Sequence, residues 1–208
     1  MSIPYKPKYL SWSQYDLYRR NPEQYAKQYF LGEKGVDTQY TRYGSKIAKL
    51  IEDGKVHDVL PDLTVYPICE HKLYTDIDGY PLLGYIDSYD PETNTFREYK
   101  TGKVPWNILK VHKHGQLLFY AIMLRRITGN MPTHCHLDWI ETKDDTTEIT
   151  TSEVFPGFST GGEEYVNITG RITSFKREFD ERELDKMERE IMEVIEKIKQ
   201  DYEQYKTR

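Results

Sequence analysis

The order of hydrophobic periods along the chain predicts an α+β fold of helices, a sheet, a helix, more sheet and a closing helix. Three observations carry that expectation. Apolar residues recur every three or four positions up to about residue 54, switch to a period near two over residues 71–102, and return to helical spacing from Val111. Two turn signals, Asp78-Gly79 and "DPETN" at residues 90–94, punctuate the period-two stretch. The final segment places Leu184, Met187, Ile191, Val194 and Ile198 at alternating spacings of three and four, a heptad-like stripe.

Each element follows from local chemistry. In "LSWSQYDLYRRNPEQYAKQYFLG", Ser11 or Ser13 serves as a helix cap and Tyr15, Tyr18, Tyr25 and Tyr29 recur near helical spacing. Two short helices meet at Asn21-Pro22 and stop at Gly32. "TRYGSKIAKLIEDGK" forms an amphipathic helix with Ile47, Leu50 and Ile51 inward, ending at Gly54. Residues 55–70 read as a loop, and residues 71–102 as a three-stranded antiparallel meander. "VHKHGQLLFYAIMLRRIT", Val111 to Thr128, reads as one helix with Leu117, Leu118, Ala121, Ile122 and Leu124 on its apolar face and Gly129 as its stop. "HCHLDWIET" and "TTEITTSEVF" are β-rich, "FSTGGEEY" is a loop, and a further strand lies near residues 165–175. The closing helix starts near Asp180 and packs its stripe on its own domain. No repeat or low-complexity linker interrupts the chain, so residues 1–208 read as one domain, with an N-terminal helical element (1–43), a core (44–176) and a C-terminal helix (177–208).

Composition narrows the class. Hydrophobic residues make up 38% and charged residues 30%, with 18 tyrosines and a mean hydropathy of -0.77, as in a soluble globular protein. No apolar run approaches the roughly 20 residues of a membrane span, and "MSIPYKPKYLSW" has no signal-type apolar region, so a cytoplasmic location without a membrane partner is expected. Cys69 and Cys135 are the only cysteines; they exclude a four-thiolate site and are expected as buried thiols. The net charge of -5 argues against a generally basic nucleic-acid binder, yet charge is uneven. Residues Arg97 to Arg126 hold seven Lys or Arg against one acid, and Glu178 to Gln204 hold eleven acids against five bases. The first segment suits a polyanion; on charge alone, a solvated helix face is the preferred reading of each run.

The hairpin "GYIDSYDPETNTFREYKTGK" combines like charges. With its turn centred between Glu92 and Thr93, Asp90 faces Thr95, Ser88 faces Arg97, and Asp87 faces Glu98. Facing Cβ atoms lie about 4.5 to 5.5 Å apart, so two carboxylates meet, an arrangement that destabilises a sheet. Alternation puts Lys100 on the face of Glu98, with Arg97 and Tyr99 on the other. A divalent cation between the acids gives a reason, since Mg²⁺ takes carboxylate and carbonyl oxygens.

Asp87, a gap of eleven residues across a hairpin, then Glu98-x-Lys100 resembles the core motif of the PD-(D/E)XK nuclease superfamily. The context is similar to its RecB-like and phage exonuclease branch. "SWSQYDLYRRNPEQYAKQY" looks like that branch's opening "SxSxLxxYxxCPxxFxxxY", with Asn21 where cysteine is common. "GSKIAKLIE", Gly44 to Glu52, matches "GxxxHxxLE", and Gln116 with Tyr120 matches a helical "QxxxY". Asp53-x-Lys55, Glu70-x-Lys72 and Glu141-x-Lys143 carry the same acid-x-Lys triplet but lack this context.

The resemblance implies a restriction-endonuclease-like core with a mixed central β-sheet flanked by helices, and a metal-dependent deoxyribonuclease. Asp87, Glu98 and the Tyr99 carbonyl would hold Mg²⁺ or Mn²⁺, with Glu52 as a further or water-mediated ligand; Lys100 would serve the attacking water or the phosphoryl charge, and Gln116 and Tyr120 would position it. For Tyr120 a plain core position beside Leu117 and Leu124 is a second reading, and His112 and His114 read as solvated or phosphate-facing. Ala48 stands where the family often has a metal-binding histidine, which puts nitrogen ligation in doubt. The cysteine count excludes the iron-sulfur cluster of some relatives. The resemblance implies an exonuclease processing DNA ends in recombination or repair, in a bacterial cell or phage-infected host, with DNA and a single-strand annealing protein as partners and a homo-oligomer as a possible assembly. A catalytically weak or inactive DNA-binding subunit, or an endonuclease, are the alternatives.

Overall fold

The structure, a computed structural model, describes residues 6–34, 39–145 and 165–207. Helix α1 (Trp12–Arg20) starts at Ser11, whose hydroxyl accepts the Gln14 N–H. Asn21 ends α1 and caps α2 (Pro22–Tyr29), its side-chain oxygen accepting the Gln24 N–H at 3.0 Å with Pro22 in the first helical turn. The tyrosines interlock at this corner: the rings of Tyr18 and Tyr25 meet edge to face at 5.2 Å, and Tyr25 meets Phe30 at 5.6 Å. Helix α3 (Gln39–Glu52) follows. The stretch expected as a loop contains a 3-10 turn, Val56–Asp58, and its last residues already belong to the sheet.

Strands β1 (Ile68–Ile77), β2 (Tyr80–Asp90) and β3 (Thr95–Gly102) form the expected meander. Asp78 (φ 48°) and Gly79 (φ 73°) are both left-handed, as a two-residue turn matching strand twist requires. After β3 come α4 (Ile108–His112), α5 (Gly115–Thr128), β4 (His134–Asp145), β5 (Tyr165–Glu178) and α6 (Glu181–Lys206), the last capped by Asp180. The single helix expected from Val111 is therefore two. His114 is extended (φ -78°, ψ 99°) at the break, and the fully buried Arg177 of β5 donates to the carbonyls of Val111 and His114, which flank it. The expected strand "TTEITTSEVF" lies outside the described residues, as does the loop "FSTGGEEY" apart from Tyr165.

The sheet order is β1-β2-β3-β4-β5, with β3 and β4 parallel and every other pair antiparallel. A parallel step needs a crossover, which α4 and α5 supply. The main core joins α1, α2, α5 and α6 to one sheet face, with Trp139 inside it. A second cluster places Ile47 and Ile51 of α3 with Ile140 and Ile168. Adjacent Trp139 and Ile140 thus belong to opposite faces, and the sheet is covered on both. Cys135 is buried as expected, but Cys69 is only half-buried, because it sits near the start of edge strand β1. Among the described residues no helix is long and apolar enough to cross a membrane.

Candidate active site

Ser88 pairs with Arg97, Tyr89 with Phe96 and Asp90 with Thr95, the register predicted from the turn. The ladder stops there, at the two acids. Asp87 fills the gap with its side chain, Oδ2 accepting the Tyr99 N–H at 2.7 Å, while β3 runs on beside β4. The acids therefore separate β2 from β3 and leave a hollow between them.

Glu98, 2% exposed, anchors a network behind that hollow. Its Oε1 accepts from Lys100 Nζ at 2.6 Å and from Gln116 Nε2 at 2.7 Å. Gln116 Oε1 accepts from the same Lys100 ammonium at 2.9 Å, and its Nε2 also donates to the Tyr120 hydroxyl at 3.0 Å. Residues Gln116 and Tyr120, four apart on α5, face the site together. Glu98 Oε2 is buried and has no partner, a costly state for a carboxylate oxygen.

Electrostatics follow from burial. Burial first, and then the Glu98 charge, hold the Asp87 carboxyl well above the usual carboxylate range. Burial pulls the Lys100 ammonium down, but Glu98 and Asp87 together outweigh it and its pKa is raised, so it stays charged. His114 does not match its expected solvated or phosphate-facing position. It lies against Trp12 and Trp106, contacts Gln116 at 3.1 Å, and is held near a pKa of about 4, mainly by burial and then by the Lys100 charge. His112 is exposed.

The hollow has a volume of about 260 Å³ and is lined by Ile47, Ala48 and Ile51 of α3 together with Glu70, Asp87, Glu98, Tyr99 and Lys100. Four of the expected residues thus share one cavity. Glu52 is not among its lining; its carboxylate is about half exposed and pairs with Lys49 at 3.0 Å. Glu70 is the residue that the sequence reading set aside. Cys69 pairs with Ser88 and His71 with Ile86, so Glu70 stands across from Asp87, with an unusual φ of 48°. Counting back from the Asp78-Gly79 turn, as from "DPETN", reveals this position, so the signal was available. Burial, followed by the charges of Glu52 and Glu98, raises the Glu70 pKa. Among the described residues no three His, Cys, Asp or Glu side chains are already grouped as a metal-ligand set.

Behind Gln116 and Tyr120 a second cavity of about 300 Å³ is lined by Ser11, Trp12, Ser13 and Tyr85. A larger one, about 690 Å³, lies between the β1–β2 turn and α6, beside Lys8, Tyr80 and Tyr202 and away from the carboxylate network. Volume does not mark the chemistry here; the buried, charged network does.

Neither a protein-family model nor a curated protein matches the chain. Solved structures do. A candidate exonuclease from Eubacterium rectale shares 12% identity and superposes with a TM-score of 0.56, over 94% of this chain and 82% of that one. A phage-related exonuclease from Haemophilus somnus 129PT shares 14% identity (TM-score 0.52, 88% and 79% coverage). An alkaline exonuclease from Laribacter hongkongensis shares 11% (TM-score 0.52, 96% and 92%). At such identities the likeness establishes a common fold: a mixed five-stranded sheet flanked by helices, with a long C-terminal helix.

Proposed function

We propose that the chain is a divalent-metal-dependent deoxyribonuclease, an exonuclease shortening DNA from its ends in recombination or repair. The observation that best supports this is that Asp87 and Glu98 line one hollow with a charged Lys100, with Glu98 Oε2 buried and unpartnered. That orphaned oxygen, in a hollow lined by three carboxylates, fits a cation better than it fits an empty apolar core. Asp87, Glu98 and the Tyr99 carbonyl would hold Mg²⁺ or Mn²⁺, with Glu70 as an added oxygen donor and Glu52 acting only at longer range. Ala48 supplies no nitrogen, so the donors are all hard oxygens, a set suited to Mg²⁺. Bound there, the ion would polarise the scissile phosphate and acidify a water.

The chain's own residues do the rest. Glu98 and Gln116 fix the Lys100 ammonium from two sides, so its charge is in place for the phosphoryl oxygens without reorganisation. Tyr120 accepts from Gln116 and thereby sets which way the amide points. Asp87 accepts the Tyr99 N–H and so ties β2 to β3 beside the hollow. The stretch from Tyr99 to Leu137 carries no acid, which suits a phosphate backbone. The named activity of the fold's neighbours supports DNA as substrate; an annealing partner and a homo-oligomer belong to the same reading by analogy.

The test uses end-labelled linear duplex, single-stranded and circular DNA with Mg²⁺, Mn²⁺ or EDTA, for the wild type, Asp87→Ala and Lys100→Ala. Linear DNA should shorten from an end only with metal, and both variants should be inactive. No cleavage of any substrate, or full activity in both variants, overturns the proposal, and cleavage of circles makes the enzyme an endonuclease.

A further inference from the structure

Tyrosine serves mostly for packing in this molecule. Among the residues whose side chains are described, Tyr74, 61% exposed, and Tyr85, 46% exposed, are the two tyrosines that stand in solvent. They are neighbours. Tyr74 pairs with Leu83 and Lys72 with Tyr85 across β1 and β2, so the two rings lie on one face of the hairpin, at diagonal positions roughly 7–8 Å apart. Leu73, Leu82 and Ile86 fill the main core, and Gly84 abuts Tyr120 of α5. Alternation therefore puts Tyr74 and Tyr85 on the opposite face, the one on which Ile47 and Ile51 of α3 pack.

That face continues into the carboxylate hollow. Tyr85 precedes Asp87 by two residues, roughly 7 Å along β2, and Lys72 follows Glu70 by two along β1. Tyr85 is also fastened to the network around Lys100, because its N–H donates to the Tyr120 hydroxyl that receives Gln116. Lys72, exposed and directly opposite Tyr85, is the cation of the patch. Asp76, the acid beyond Tyr74, is engaged in the hairpin turn, where it accepts the Gly79 N–H at 3.0 Å.

Aromatic faces stack on unpaired bases of any sequence, and a lysine beside them meets the phosphate; along a duplex the base faces are already covered by their neighbours. The lysine and the adjoining hollow favour nucleic acid over protein as the occupant, since one supplies countercharge and the other needs a phosphate brought to it. On the reading of this chain as a DNA nuclease, we propose that Tyr74 and Tyr85 form a stacking platform for unpaired bases of the strand that enters the hollow, with Lys72 on the phosphate between them. The platform selects DNA with unpaired nucleotides beside the scissile bond, without preference for base, and touches no reacting atom.

The test compares the wild type with Tyr74→Leu/Tyr85→Leu, which keeps apolar bulk, and Tyr74→Phe/Tyr85→Phe, which keeps the rings. Both retain the Tyr85 N–H, and thermal midpoints confirm an intact fold. Binding of a mixed-sequence single strand is read by anisotropy with EDTA, apart from any cleavage. The leucine variant should bind at least roughly tenfold more weakly, the phenylalanine variant should match the wild type, and binding of a blunt duplex should be the same for all three. Equal single-strand affinity in the leucine variant, a phenylalanine variant as weak as the leucine one, or an equal loss on duplex overturns the platform, as does a wild type that binds no single strand. With 2-aminopurine placed in turn along the strand, the wild type should dim at least one position that the leucine variant leaves bright; dimming at no position overturns stacking. Dimming without metal-dependent cleavage of any DNA overturns the nuclease reading and leaves the platform standing. A wild-type oligomer that the leucine substitutions dissociate would make the pair an interface between copies and overturn the platform.

Discussion

Asp87 is buried against Glu98, and its carboxyl is held well above the usual range by that burial and then by its neighbour's charge. An acid whose pKa is raised on folding contributes fully to stability below its unfolded value, about 3.9, and loses that contribution as pH rises through the folded value. Asp87→Asn keeps an acceptor for the Tyr99 N–H and removes the charge. The metal-free variant should therefore melt above the wild type at pH 8, with the difference closing below about pH 4. Mg²⁺ should raise the melting temperature of the wild type alone, and cleavage by the variant should fall by at least about 10²-fold. Thermal scans across pH, with and without Mg²⁺, check the sign. Gln116 makes a different kind of contribution, because it accepts from Lys100 and donates to Glu98. Gln116→Ala should lower kcat by roughly 10- to 100-fold with little change in KM, read from steady-state kinetics on linear duplex. An unchanged kcat would mean that Glu98 alone positions the lysine.

At the scale of elements, the site depends on how closely α5 lies on β2. A Cβ at Gly84 would sit 2.9 Å from Tyr120 Cε1 and 3.2 Å from Met123 Sδ, both on α5. The helix has little freedom to retreat, since Arg125 near its end is paired with Asp185 and Glu188 of α6. Gly84→Ala should thus cost about 1–3 kcal/mol by overpacking. At roughly 2–4 °C per kcal/mol for a chain of this size, calorimetry resolves the change. The same displacement moves the Tyr120 hydroxyl, so activity should fall along with stability. A melting temperature equal to the wild type's would show that α5 slides without penalty.

For the whole molecule, the two oppositely charged segments of the sequence meet. Arg125 and Arg126 at the end of the basic stretch pair with acids of α6. Helix α6 also buries Leu184, Met187, Ile191, Val194, Ile195 and Ile198 in the main core. At roughly 1.5–3 kcal/mol each, these six side chains match or exceed the roughly 5–15 kcal/mol that stabilises a typical domain. A chain ending at Asp180 should show no cooperative thermal transition by circular dichroism, and a sharp transition would mean that α6 is dispensable.

The sequence by itself determined the order of strands in the meander, both of its turns and the β2–β3 register up to Ser88 and Arg97, beside the two acids. These follow from short-range rules: antiparallel pairing counts outward from a turn, and one residue of slip would turn every side chain to the wrong face. Tertiary structure decided what depends on distant chain. It split the Val111–Thr128 segment at His114, through a buried Arg177 more than sixty residues away. It laid β4 parallel to β3, turned Glu52 toward Lys49, and brought Glu70 into the hollow at a break in the ladder. The physical reason is burial: which faces meet, and which charges lose their water, is settled only when the whole core closes around them.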